Sequence, residues 1–288
     1  MKHSIISVDV EDYFHVEAFS GVIQPSAWSS YESRVERNTV RILDLLDDCN
    51  VTATFFILGW VAERYPKLVR SIAERGHEPA CHSYWHRLVY KLTPEEFRED
   101  TLLSKRVIEQ AAGARIHGYR APSFSIVSRS TWALDILAEL GFQYDSSVFP
   151  VKHDVYGFPG APRGPFNVET PFGPIMEFPM ATFRYQIGPN LPVAGGGYLR
   201  MLPFWYTKAG VTRAWREGLP VVSYVHPWEL DPEQPRLRAP LKSRLRHYTN
   251  LKNTELRLRR LLAMDKFSSF RDSGLVDGTL PYKEAAAG

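Results

Sequence analysis

Apolar runs of the kind buried in sheets alternate with amphipathic stretches over the first half of the chain. His3-Ser-Ile-Ile-Ser-Val-Asp-Val-Glu is β-branched and apolar, then ends abruptly in acids. That pattern predicts a strand buried on both faces, with carboxylates at its C-terminal end. Residues 34–49 carry apolar positions at Val40, Leu43 and Leu46 and predict an amphipathic helix; Val51-Thr-Ala-Thr-Phe-Phe-Ile-Leu predicts a second buried strand. Trp60 to Arg75 reads as a helix with Val61, Leu68, Val69 and Ile72 on one face and Gly76 as its stop, followed by a short strand over residues 78–81. Thr93-Pro94-Glu95-Glu96 carries a capping box and a proline at the first helical position, opening a helix that runs to Ala112 and Gly113. Residues 116–119 and 142–144 read as short strands on either side of a helix over 130–140. Strand and helix thus alternate five times, the signature of an α/β fold with a parallel sheet or barrel. From Val148 to Pro203 the chain is rich in Pro, Gly and aromatic residues and predicts long loops and irregular strands that shape a cleft. A helix over 211–217, a last buried strand from Leu219 to Val225 ending at His226, and a basic C-terminal helix over 241–262 complete the reading.

Composition narrows the class. The chain has 288 residues, 44% hydrophobic and 23% charged, which suits one α/β barrel with extensions and excludes disorder. Lys and Arg number 35 against 32 Asp and Glu, a net +3 that is too balanced for a dedicated nucleic-acid binder. Cys49 and Cys81 are too few for a disulfide framework or a cysteine-rich zinc site. The longest apolar stretch, Val51 to Ala62, is too short to span a bilayer. Asp9, Glu11 and Asp12 break the N-terminal apolar run before it could serve as an export signal, so the expected location is the cytoplasm, including the inner face of the membrane.

Three polar clusters fall at the C-terminal ends of expected strands: Asp9/Glu11/Asp12, His82/His86 and His226. In barrels and open α/β sheets the reacting groups converge on that edge. One carboxylate and two imidazoles suit Zn²⁺ best, with Co²⁺ or Fe²⁺ as alternatives, and leave positions open for water and substrate. A histidine pair four residues apart is by itself more often a surface coincidence. The acids and the third histidine at neighbouring strand ends change those odds. Cys81 points away from His82 by strand alternation and reads as a core residue.

Five segments in order resemble the polysaccharide deacetylases of the NodB-homology class, carbohydrate esterase family 4. They are Ser7-Val-Asp-Val-Glu-Asp-Tyr13, His82-Ser-Tyr-Trp-His86, Tyr119-Arg-Ala-Pro122, Tyr144-Asp-Ser-Ser147 and Tyr224-Val-His-Pro-Trp228. The resemblance covers residues 1–230, implying a catalytic domain of that extent on a distorted (β/α) barrel, with residues 231–288 as a helical extension packed on it. The opening Asp-Val-Glu-Asp-Tyr-Phe-His and the stretch Gly195-Gly-Gly-Tyr-Leu-Arg200 are similar to a subgroup associated with exosortase exopolysaccharide loci.

The resemblance also implies roles. The family pattern has two adjacent aspartates, whereas Val10 stands here where the second would fall. Some members space the acids by one residue, which matches Asp9 and Glu11, and strand period two puts those on one face. Asp9 is therefore assigned as general base and Glu11 as leading metal ligand beside His82 and His86, with Asp12 the competing ligand. Arg120 would hold the Asp9 carboxylate, the N–H of Ser123 would donate to the oxyanion, and His226 would protonate the leaving amine. Asp145 would shape the pocket, or simply cap a local turn. Trp228, Phe124, Tyr198, Trp205 and Tyr206 are candidates to stack on sugar rings, and His15 reads as a surface histidine. The implied activity is removal of N-acetyl groups from a GlcNAc-containing polysaccharide or its precursor in exopolysaccharide synthesis. Hydrolysis of a non-sugar amide or imide, and saccharide binding without turnover, are the alternatives.

Overall fold

The computed structural model describes residues 4–276, apart from 154, 185–187 and 194. Strand β1 (Ser4–Val10) is buried along its whole length and is flanked by other strands on both sides. It is followed by helix α1 (Val35–Asp48), strand β2 (Thr54–Ile57), helices α2 (Gly59–Arg64) and α3 (Pro66–Glu74), and strand β3 (Glu78–Cys81). The single helix expected over 60–75 is two, because Pro66 opens α3 and Tyr65 before it has φ −125° and ψ 56°. Helix α4 (Pro94–Ala112) begins as expected: Thr93 Oγ1 accepts from Glu96 N at 3.2 Å, and Glu96 Oε2 accepts from Thr93 N at 2.9 Å.

Strand β4 (Gly118–Tyr119), helix α5 (Trp132–Glu139) and strand β5 (Tyr144–Asp145) continue the alternation. The stretch expected to be loops carries β6 (Phe166–Val168), β7 (Ile175–Glu177), β8 (Thr182–Phe183), β9 (Leu191–Pro192) and the short helix α6 (Gly196–Met201). Helix α7 (Phe204–Arg216) starts earlier than the sequence indicated, and strand β10 (Val221–Val225) follows. The basic C-terminal run is broken into α8 (Leu241–Tyr248) and α9 (Thr254–Leu262) by Asn250 at φ 61°, before β11 (Phe267–Ser268).

The main sheet runs β10-β1-β2-β3-β4-β5-β7-β6, parallel except for the β6–β7 pair, with β11 added beside the start of β1. β10 and β6 stand at opposite ends, so the barrel is curled but open. Ile6, Val8 and Val10 of β1 share one large core with α1 residues such as Ile42 and Leu46, while Val40 lies on the outward side of that helix. Parallel pairing brings the C-terminal ends of β1, β3, β4 and β10 to one edge, and the polar clusters leave the sheet there.

Candidate active site

Arg120 follows β4 and is fully buried in a shell of acceptors. Its NH1 donates to Asp9 Oδ1 at 2.7 Å and Ser7 Oγ at 2.6 Å; Nε and NH2 donate to Ser146 O and Oγ, both at 3.0 Å. Its guanidinium also lies 4.1 Å from the centre of the Phe56 ring. A guanidinium with this many partners has one orientation, and it fixes the Asp9 carboxylate at the end of β1.

Glu11, His82 and His86 come together beside Asp9, their ligand-type atoms all within 4.8 Å of one another. His82 Nδ1 donates to Arg120 O at 2.8 Å, so its Nε2 carries the lone pair. Burial lowers its pKa to about 4 against the pull of Asp9, keeping the ring neutral. His86 is brought alongside by a strained loop and not by a helix: Ser83 and His86 have φ of 62° and 52°. Asp100 of α4 holds that loop, accepting from Tyr84 N at 2.7 Å and Trp85 N at 3.3 Å. Glu11 Oε1 accepts from Trp228 Nε1 at 3.1 Å. Glu11 Oε2 sits 2.8 Å from His86 Nε2 yet finds no well-directed donor in the buried site. Burial raises the Glu11 pKa, but its electrostatic interactions with the surrounding imidazoles, His86 foremost and then His226 and His82, outweigh it and hold the carboxyl below its ordinary range. A buried, ionised carboxylate oxygen without a donor, next to two histidines, is the donor set that a divalent metal fits.

His226 ends β10 with Nε2 3.5 Å from Glu11 Oε1 and 3.9 Å from Asp9 Oδ2. Its Nδ1 lies 2.5 Å from Glu229 Oε1, and Glu229 Oε2 in turn accepts from Arg200 Nε at 2.5 Å. Burial alone would lower the His226 pKa. The hydrogen bond to Glu229 and its charge, with Glu11 and Asp9, raise it to about 9.

The structure places the other expected residues as follows. Asp12 is turned away from the histidines. Its Oδ2 accepts from Arg34 N, Val35 N and Ser33 Oγ at 2.7, 3.1 and 2.8 Å, capping the start of α1. Asp145 is buried off the cavity wall. It accepts from Ser147 Oγ at 2.6 Å, and that oxygen accepts from Ala121 N at 2.7 Å, so the carboxylate acts on the loop that carries Ser123. Ser123 lines the cavity at φ 51°. Trp228 also lines it, but its ring is stacked on His226 and His247 at centroid distances of 5.1 and 4.0 Å, and its N–H is spent on Glu11. Phe124 and Tyr198 line the same cavity, Trp205 is exposed in a separate groove, and Tyr206 packs on Phe183. His15 is a core residue, not a surface one, buried against Trp28 and Trp60.

Sequence reasoning missed Glu229, Arg200 and His247. Glu229 stands three residues after His226 with Pro227 between, an N-terminal helix-turn pattern that could have flagged it. Arg200 is delivered by Gly195 and Gly196, with φ of 120° and 46°. A Cβ there would come within 2.3 Å (Gly195) or 2.7 Å (Gly196) of the Tyr224 side chain. The cavity over these groups has a volume of about 540 Å³.

Comparison with known proteins bears on the class. A family model described as polysaccharide deacetylase matches residues 22–144. Over those residues the chain carries a polysaccharide deacetylase domain. A second model, a domain of unknown function (DUF3473), matches residues 146–274 and so takes in β10, His226 and α8. A peptidoglycan-N-acetylglucosamine deacetylase of Bacillus cereus is 35% identical over 98 residues, 34% of this chain and 36% of that protein. A chitooligosaccharide deacetylase of a Bradyrhizobium strain is 30% identical over 100 residues, 35% of this chain and 43% of that protein. The matches thus span less than half the length of these curated relatives. Among solved structures, one assigned as a polysaccharide deacetylase from Mycobacterium smegmatis superposes with a TM-score of 0.63 at 20% identity, covering 99% of this chain and 96% of that one. PuuE allantoinase superposes at 0.58 and 16% identity, covering 97% and 91%. At such identities these two likenesses establish the open α/β barrel. Among the described residues no helix is long and apolar enough to cross a membrane.

Proposed function

We propose that this chain is a metal-dependent hydrolase that removes N-acetyl groups from a GlcNAc-containing saccharide, in the exopolysaccharide setting implied by its subgroup resemblance. The observation that carries the reading is one cavity floor holding Glu11, His82 and His86 within 4.8 Å, beside the Arg120-fixed Asp9 and the Glu229-paired His226. Glu11, His82 and His86 would hold the ion, Zn²⁺ before Co²⁺ or Fe²⁺. When bound, the metal acidifies a water and polarises the acetyl carbonyl.

The protein's own groups do the rest. Asp9 takes the proton of the attacking water, its free oxygen directed by the bond from Arg120 to the other. Ser123, turned by its positive φ, offers its backbone N–H to the developing oxyanion. His226 stands protonated at neutral pH and gives its proton to the departing amine. Phe124 and Tyr198 supply ring faces for the sugar. The deacetylases among the relatives and the matched domain support this reading over imide hydrolysis, and the intact base, ligand and acid groups support it over mere binding.

Acetate release from chitooligosaccharides tests it. Release should depend on added Zn²⁺ or Co²⁺ and stop with a chelator. Turnover of a cyclic imide with no acetate release would replace the reading with the imide one, and binding without either reaction would leave a lectin-like role. Asp9→Asn should keep its metal yet lose on the order of 10²-fold in kcat. Metal analysis beside the rate checks this, since loss of the ion in that variant would make Asp9 a ligand.

A further inference from the structure

We infer that the cavity is a blind well that takes the end of a saccharide chain, so that the acetyl group removed sits on a terminal residue and not on an internal one. This deepens the deacetylase reading and rests on it. The floor is the cluster of strand-end groups. Asp9, Glu11, His82 and His86 are only 2%, 2%, 2% and 7% exposed, so an acetamido group must reach down to them. Four segments line the wall above: residues 16–18, a loop segment with His153, Val155 and Tyr156, helix α6, and helix α8. All but the first lie within residues 146–274, the stretch matched by the domain of unknown function.

Those segments are tied to one another in a closed circuit. From α6, the Tyr198 hydroxyl shares a hydrogen bond with that of Tyr156, the oxygens 2.8 Å apart. Tyr156 is held between His153 and Phe149, stacked on them at centroid distances of 3.8 and 5.5 Å. Beside it, the Val155 carbonyl accepts from the Tyr90 hydroxyl at 2.9 Å, and the neighbouring Lys91 pairs with Glu17 at 3.4 Å. Phe19, in the same turn as Glu17, lies against His247 of α8 with ring centres 4.8 Å apart. Buried Arg200 donates to the carbonyls of Arg246, His247 and Thr249 at 3.2, 3.2 and 2.6 Å. Arg200 belongs to α6, where the circuit began. A floor and a wall tied together all round leave one mouth. The volume of about 540 Å³ suits one enclosed small molecule and not a row of sugar rings. An internal residue of a polymer needs two openings, one for the chain on each side of it. A terminal residue needs one.

The test gives the full chain, loaded with Zn²⁺, a series of N-acetylglucosamine oligomers from chitotriose to chitohexaose, each isotopically labelled at its reducing end. Tandem mass spectrometry of the products locates the freed amine. It should fall on a terminal residue of every oligomer, and acetate released per chain should not change with length. Free amines at internal positions, or an acetate yield per chain that climbs with length, would overturn the well. Binding is read separately by calorimetry on Asp9→Asn, whose slow turnover preserves the ligand. Chitobiose and chitohexaose should bind within about threefold of each other, because rings outside the mouth add no contact. A larger rise with length would mean a groove open at both ends, and no binding of either would remove the site. Length-independent binding without any acetate release would keep the well and reject the deacetylase reading, so the two failures are told apart.

Discussion

Glu11→Gln should strip the metal and with it turnover, while Asp12→Asn should keep both. Glu11 is one of three groups whose ligand atoms lie within 4.8 Å of one another, and its Oε2 is the buried oxygen without a directed donor. An amide there keeps the size but loses the charge, and the Trp228 bond to Oε1 cannot compensate. Asp12 spends its carboxylate on three donors at the start of α1 and one from Tyr13 N at 3.0 Å. Its loss should therefore register as stability, about 1–2 kcal/mol as for other helix N-terminal caps. His82→Ala and His86→Ala should follow Glu11→Gln. Metal content by elemental analysis, with a melting curve for each variant, decides the matter. A metal-free Asp12→Asn protein beside a loaded Glu11→Gln one would transfer the ligand role to Asp12.

The sequence placed Asp9, Glu11, His82, His86, Arg120 and His226 in one neighbourhood because each ends a strand or follows one, and parallel strands bring their ends to a shared edge. It could not separate Glu11 from Asp12. That choice is made by the N–H groups of residues 34 and 35, which need an anion and lie more than twenty positions along the chain. For Asp145 the sequence left pocket shaping and a local turn role side by side, and the side chain takes the local one. It accepts from Ser147 and acts through the Ala121 amide. The sheet beyond β5 was illegible because β6 and β7 are three residues each, too short for any period to show.

His226→Ala should lower amide hydrolysis by up to about 10⁴-fold while leaving the metal in place. An amine departs poorly from a tetrahedral intermediate unless a proton arrives as the bond breaks, and His226 is the group at that edge carrying one at neutral pH. Its Nδ1 is engaged by Glu229 and its Nε2 faces Glu11 and Asp9, so Nε2 is the donating atom. An activated ester, whose leaving group needs no proton, should lose far less, and equal loss on both substrates would remove the general-acid role. The pH profile supplies an independent readout. A histidine whose pKa is raised to about 9 is protonated below that value, so amide turnover should hold through neutrality and fall as the pH rises through about 9. Glu229→Gln removes the hydrogen-bonded charge that sustains the shift, and the basic limb should move to lower pH. That variant also leaves Arg200 buried without its carboxylate, a cost of about 3–5 kcal/mol, so its melting curve must be recorded first. A folded Glu229→Gln protein with an unmoved basic limb would show that the limb belongs to another group.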